Sequence, residues 1–153
     1  MAQAVIRPAR PGDLEALVAL LRMLFAIEAD FAFDAARQRR GLEMLLAHEG
    51  AVILVAEAEG QVVGMCSGQS TISTAEGGFA LLVEDVVVAE PWQGKGLGRE
   101  LLAALEQWGA ERKIGRLQLL ADRNNAAALE FYCRLGWQST ELVCRRKRIE
   151  EGE

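Results

Sequence analysis

Residues 83–105 constrain this chain more than any other stretch. Val86, Val87 and Val88 form a β-branched run that predicts a buried strand, and Leu97, Leu101, Leu105 and Trp108 recur at helical spacing. Gly94, Gly96 and Gly98 fall between them, so the glycines mark a strand-to-helix turn. The first turn of a helix offers N–H groups that have no partner inside the helix, and glycine admits a ligand close to the backbone. A phosphate is the expected guest. Two phosphate-binding patterns fail on spacing. A P-loop needs a hydroxyl residue directly after the lysine, but Gly96 follows Lys95; a dinucleotide fingerprint counted from Gly94 would need its last glycine where Arg99 stands.

Apolar residues at 117–121 predict another strand after this helix. Strand, helix, strand in that order calls for a parallel pair joined by a right-handed crossover. Upstream, residues 4–7 form a short apolar start. Leu14, Leu17, Val18, Leu21 and Phe25 mark one face of a first helix, for which Asp13 is a candidate cap. A second helix begins near Asp34, with Leu42, Leu45 and Leu46 on its apolar side. Phe31 and Phe33, in the connection between these helices, read as core plugs, and both are also candidates for a substrate wall. Residues 51–58 and 61–70 predict a hairpin about Glu59-Gly60, 71–78 a polar loop, and 79–88 a third strand of the meander. Residues 125–135 predict a short helix, capped by Asn125 and stopped at Gly136. Residues 137–148 read as a final strand or bent pair. The expectation is one domain over 1–153: mixed α/β, mostly antiparallel, about four flanking helices, and a parallel step at the glycine turn.

Composition narrows the function. The chain has 153 residues, 51% hydrophobic and 25% charged, which suits a folded core rather than disorder. With no signal-peptide pattern and no run of eighteen apolar residues, neither export nor membrane insertion is expected, and a cytoplasmic protein is the default. Three cysteines, with no C-x-x-C pair, argue against a disulfide framework and against a metal site. A net charge of −5 gives no general attraction to nucleic acid and favours cationic small molecules. His48, the one histidine, reads as a surface residue.

Gln93-x-x-Gly96-x-Gly98 resembles the Arg/Gln-x-x-Gly-x-Gly/Ala signature of the GNAT superfamily of acetyl-CoA-dependent N-acetyltransferases. The stretch from Asn125 through Ala128, Phe131, Tyr132 and Gly136 to Trp137 is similar to a second signature of that superfamily, with tryptophan as its last aromatic. The resemblance implies acetyl-CoA as co-substrate. Backbone at Val86, Val87 and Val88 would pair with its pantetheine arm. Amides of Gln93, Gly94, Lys95, Gly96, Leu97, Gly98 and Arg99 would hold its pyrophosphate, and Asn125 would touch the arm. It also implies a β-bulge that splays the sheet beside this strand, and a homodimer.

The chemistry assigns further roles. An amine must lose a proton before it attacks a thioester, the oxyanion needs an N–H donor, and the departing thiolate needs a proton. Tyr132 is the candidate acid, because a phenol with an ordinary pKa of about 10 is protonated at neutral pH. Glu84 is the candidate base, with Asp85 as helper or structural partner, since carboxylates in a strand otherwise buried call for a task or a partner. Regular alternation sends only one of the two into a given pocket. The Glu84-Asp85 pair resembles the spermidine/spermine acetyltransferase branch, and a related pair marks glucosamine-6-phosphate acetyltransferases. The reading is an N-acetyltransferase acting on a primary amine of a small cationic molecule, with Glu84, Asp85 and Phe31 as candidate substrate contacts. Acetylation of a protein N-terminus or lysine is the alternative, and a CoA-binding module without turnover is a third.

Overall fold

The computed structural model describes residues 3–28 and 30–150. The chain divides into two compact units, Met1–Leu119 and Leu120–Glu153.

The first unit is a five-stranded sheet in the order β1-β2-β3-β4-β5. Its strands are β1 (Val5–Pro8), β2 (Ala51–Ala58), β3 (Gln61–Ser73), β4 (Gly78–Val88) and β5 (Arg116–Leu119). The first four are antiparallel neighbours and β5 runs parallel to β4, the step that the glycine-turn helix demands. Helices α1 (Leu14–Ile27) and α2 (Ala35–Ala47) precede β2, and α3 (Leu97–Glu111) carries the crossover.

Ala51–Ala58 is apolar almost throughout because the sheet is covered on both faces. Leu17, Leu20 and Leu21 of α1 meet Leu42 of α2 and the inward residues Ile53, Val55, Met65 and Val87. On the other face, the Sγ of Cys66 lies 3.7 Å from the carbonyl of Leu101 in α3. Gly68 sits where no side chain fits. A Cβ there would lie 2.9 Å from Leu81 Cδ2 and 3.1 Å from Leu105 Cδ1. Gly68→Ala is therefore expected to cost about 1–3 kcal/mol by overpacking, read as a drop in melting temperature.

Asp13 takes a different part from the cap expected of it. Its carboxylate makes no cap bond to α1; it accepts from Arg7 at 2.9 and 3.0 Å, while Arg7 Nε donates to Glu57 at 3.0 Å. A nearly buried guanidinium outcompetes a helix amide for the carboxylate, and holds it below the usual carboxylate range. The second helix begins at Asp34 as expected, and there the Asp34 side chain accepts the N–H of Arg37.

In the second unit, α4 (Ala126–Arg134) starts at Asn125, whose side chain accepts the N–H of Ala128 at 3.1 Å. Gly136 at φ +92° ends the helical region. The expected strand or bent pair at 137–148 does not form. Only Leu142, Val143 and Cys144 are consecutively apolar there, with Arg145 to Arg148 directly after, and Leu142 and Val143 are 82% and 65% exposed. Three apolar residues beside four cations give no alternating face to bury, and no ladder partner takes up their backbone.

Candidate active site

Residues 78–88 carry the first half of the site. Gly64, Met65 and Ser67 of β3 pair with Val88, Val87 and Glu84, so two residues of β4, Asp85 and Val86, stand opposite the single Cys66. This is a β-bulge. It turns Asp85 to φ +55°, a left-handed conformation that aspartate tolerates better than most residues. Ser67, fully buried, secures the bulge by donating its hydroxyl to the carbonyl of Glu84 at 3.1 Å.

The bulge separates the two carboxylates. Glu84 is exposed, its Oε1 at 3.5 Å from Gln69 Nε2. Asp85 opens into a cavity of about 320 Å³ between α1, α2 and the sheet. Its walls are Leu21, Phe25, Leu42, Met44 and Leu45, and its polar groups are Arg37, Gln38, His48, Gln69 and Asp85. Burial, then repulsion from Glu84 and Glu28, pushes the Asp85 carboxyl up to about 7. A carboxyl with that affinity is suited to exchanging protons near neutrality.

Phe31 is 37% exposed and leans on Phe25 with ring centroids 6.0 Å apart, so it is no core plug. Phe25, not Phe31, reaches the cavity. His48 is exposed, as expected, and also lines the cavity, which sequence did not signal.

The second half of the site is the open side of β4. Pairing with β5 ends at Val83 opposite Leu119, while β4 continues to Val88. Val86, Val87 and Val88 thus extend past the last parallel pair, and Gln93 Nε2 donates to the Val88 carbonyl at 2.8 Å. The turn beyond it places Gly94 at φ +77° and Gly96 at φ +84°. The N–H of Gln93 is taken by Glu90 O at 3.2 Å, so the groups that could hold an anion here are the amides from Gly94 onward and the first turn of α3. Lys95 Nζ sits 4.8 Å from the Trp92 ring centroid, its charge kept beside the turn.

A Cβ built on Gly94 or Gly96 meets no protein atom within 4 Å, so the space over the turn is open to a ligand, and a pyrophosphate fits the residues present. Gly96→Ala tests this. The left-handed strain costs about 1–2 kcal/mol, and the methyl intrudes only on whatever lies over the turn. We expect KM for acetyl-CoA to rise about tenfold, with a melting temperature only a few degrees lower.

The family model described as the acetyltransferase (GNAT) family matches residues 16–137. The chain belongs to the GNAT acetyltransferase family. With that family come acetyl transfer and acetyl-CoA as the donor. Among curated relatives, the aminoglycoside N(6')-acetyltransferase type 1 of Stenotrophomonas maltophilia is 32% identical over 145 residues, 90% of this chain and 88% of that protein. The N-alpha-acetyltransferase 80 of Mus musculus is 44% identical over 64 residues; that match covers 42% of this chain and only 19% of the mouse protein. A crystal structure described as a "possible acetyltransferase" from Clostridium difficile 630 superposes with a TM-score of 0.86 at 19% identity, covering 97% of this chain and 99% of that one, a likeness of fold.

In this acetyltransferase α4 carries Tyr132, with ring centroids 5.3 Å from Phe131 and 5.9 Å from Trp137, both edge-on. The second signature is therefore an aromatic cluster at the end of α4. Among the described residues no group of three or more His, Cys, Asp or Glu is placed to hold a metal, and no helix is long and apolar enough to cross a membrane.

Proposed function

We propose that this acetyltransferase moves the acetyl group of acetyl-CoA to a primary amine of a small molecule by direct attack. The observation that carries the reading is the bulge at Asp85, which delivers one carboxylate into a cavity on the strand that outruns β5. Acetyl-CoA supplies the activated thioester. Asp85 takes the proton from the incoming ammonium, so that the amine lone pair can form the new C–N bond. Glu84, exposed beside it, passes that proton to solvent. The sequence reading gave the base to Glu84; the bulge and burial favour Asp85 for that part. An N–H from the free run of Val86, Val87 and Val88 supports the oxyanion. As the C–S bond breaks, Tyr132 gives its proton to the sulfur, and the second proton shed by the nitrogen as it becomes an amide restores the phenol through solvent, a role supported by the place of Tyr132 in the second signature. Asn125, already spent as helix cap, is proposed to face the cofactor arm through its remaining amide group.

The 64-residue match to N-alpha-acetyltransferase 80 favours a second reading, in which the acceptor is the α-amine of a peptide. The test for both is thiol release from acetyl-CoA with polyamines, amino acids, amino sugars and short peptides. Turnover confined to small amines supports the first reading, and turnover confined to peptides supports the second. Acetyl-CoA binding with no acceptor turned over overturns both.

A further inference from the structure

The charges around the acceptor cavity are divided between its two walls. The sheet floor and the end of α1 supply acid: Asp85 of β4 opens into the cavity, and Glu84 beside it and Glu28 at the C-terminus of α1 stand close enough to repel it. The α2 wall supplies donors. Arg37 lines the cavity, and no ion pair is formed by its guanidinium among the described residues. Gln38 Oε1 accepts the N–H of Asp34 at 2.6 Å, which leaves its NH₂ as the end that can donate. His48 Nδ1 accepts the N–H of Gly50 at 2.9 Å, so a neutral ring carries its proton on Nε2, again a donor. Between the two walls the lining is apolar, from Leu21, Phe25, Leu42, Met44 and Leu45.

A molecule with several ammonium groups fits such a cavity poorly. Its first ammonium satisfies Asp85, and the next meets the like charge of the Arg37 guanidinium. An anion at Arg37 meets the opposite situation: a planar fork that binds carboxylate through two hydrogen bonds, with amide and imidazole donors on the same helix. At about 320 Å³ the cavity is at the small end of ligand sites, a size for one ring or a short aliphatic chain.

Resting on the proposed amine acetylation, we propose that the acceptor is zwitterionic: an amine held at Asp85, a carboxylate held at Arg37, and an apolar segment between them. Arg37 is then a specificity-determining residue, and the acceptor class is amino carboxylates rather than polyamines or aminoglycosides.

The test measures kcat/KM for pairs that differ only in the carboxylate, L-phenylalanine against L-phenylalaninamide and 6-aminohexanoate against hexylamine. Spermidine and the aminoglycoside kanamycin serve as polycations, and both wild type and Arg37→Gln are assayed. In wild type the carboxylate member of at least one pair is expected to lead its partner, and both polycations, by tenfold or more. In Arg37→Gln that lead should shrink to threefold or less. Arg37 is exposed on α2, so the fold tolerates the change, and circular dichroism checks it. If neither carboxylate leads its partner, or if either polycation leads both carboxylates, the zwitterion is overturned and amine acetylation is left standing. A carboxylate preference that survives Arg37→Gln overturns the role of Arg37. No turnover of any amine by a protein that binds acetyl-CoA overturns both the zwitterion and the small-amine reading beneath it.

Discussion

Asp85→Asn is expected to yield a protein that is more stable than wild type at pH 8 and nearly inactive. The two effects share one cause. The folded chain holds the Asp85 carboxyl at about 7, well above the ordinary aspartate range, because burial and the charges of Glu84 and Glu28 oppose ionisation. At pH below the ordinary range both folded and unfolded chains keep the proton, and the substitution changes little. As pH rises toward 7 the unfolded chain has released its proton and the folded chain has not, so wild type loses stability. Above about 7 the folded chain carries a buried, repelled charge that asparagine does not. The gain for Asp85→Asn at pH 8 is on the order of 2–4 kcal/mol, a rise in melting temperature of roughly 5–10 °C. Asparagine accepts the left-handed backbone as readily as aspartate, so strain at φ +55° is not a confounding change.

An amide cannot take the ammonium proton, and kcat/KM should fall about 10²–10³-fold. Wild-type kcat/KM should rise with pH through an apparent pKa near 7, and the variant should lose that limb. Thermal melts at pH 4 and 8, together with a pH–rate profile, check each part. A stabilised variant with wild-type rates would show that Asp85 is merely a buried charge; Glu84→Gln would then be the variant expected to lose the limb.

Tyr132→Phe should separate binding from chemistry. The ring packs edge-on against Phe131 and Trp137, at 5.3 and 5.9 Å, and phenylalanine preserves both contacts. Removing only the hydroxyl is expected to lower kcat about 10²-fold, with KM for acetyl-CoA changed less than threefold. The loss should shrink above about pH 9, where a departing thiolate no longer needs a proton. A rate loss independent of pH, accompanied by a lower melting temperature, would assign the hydroxyl to packing instead.

Much of this was legible in local pattern. The run at Val86, Val87 and Val88, the glycines after it and the leucines at helical spacing determined strand, turn and helix, because each depends on neighbours within one or two turns, and the parallel step followed from the order strand, helix, strand. Gly94 and Gly96 were readable as backbone requirements, and both are left-handed. Asn125 and Gly136 marked the ends of α4 for the same local reason. The C-terminal stretch was misread because a few apolar residues suggest a strand, whereas strand formation needs a partner edge.

Tertiary structure decided which carboxylate enters the cavity. Alternation along β4 said that Glu84 and Asp85 should face opposite ways, and nothing local said which one a cavity would receive. That choice came from the register of β3 against β4, where one extra residue opposite Cys66 turned Asp85 inward, and from the α1–α2 pair that walls the cavity it enters. Ser67, Arg37 and His48 gained their places in the same way, from chain segments that meet only on folding. The sequence by itself determined the strand, the left-handed glycine turn and the helix that follows, which are short-range consequences of spacing and of glycine. The buried carboxylate and the donors facing it depend on long-range register and burial, which no stretch of sequence encodes alone.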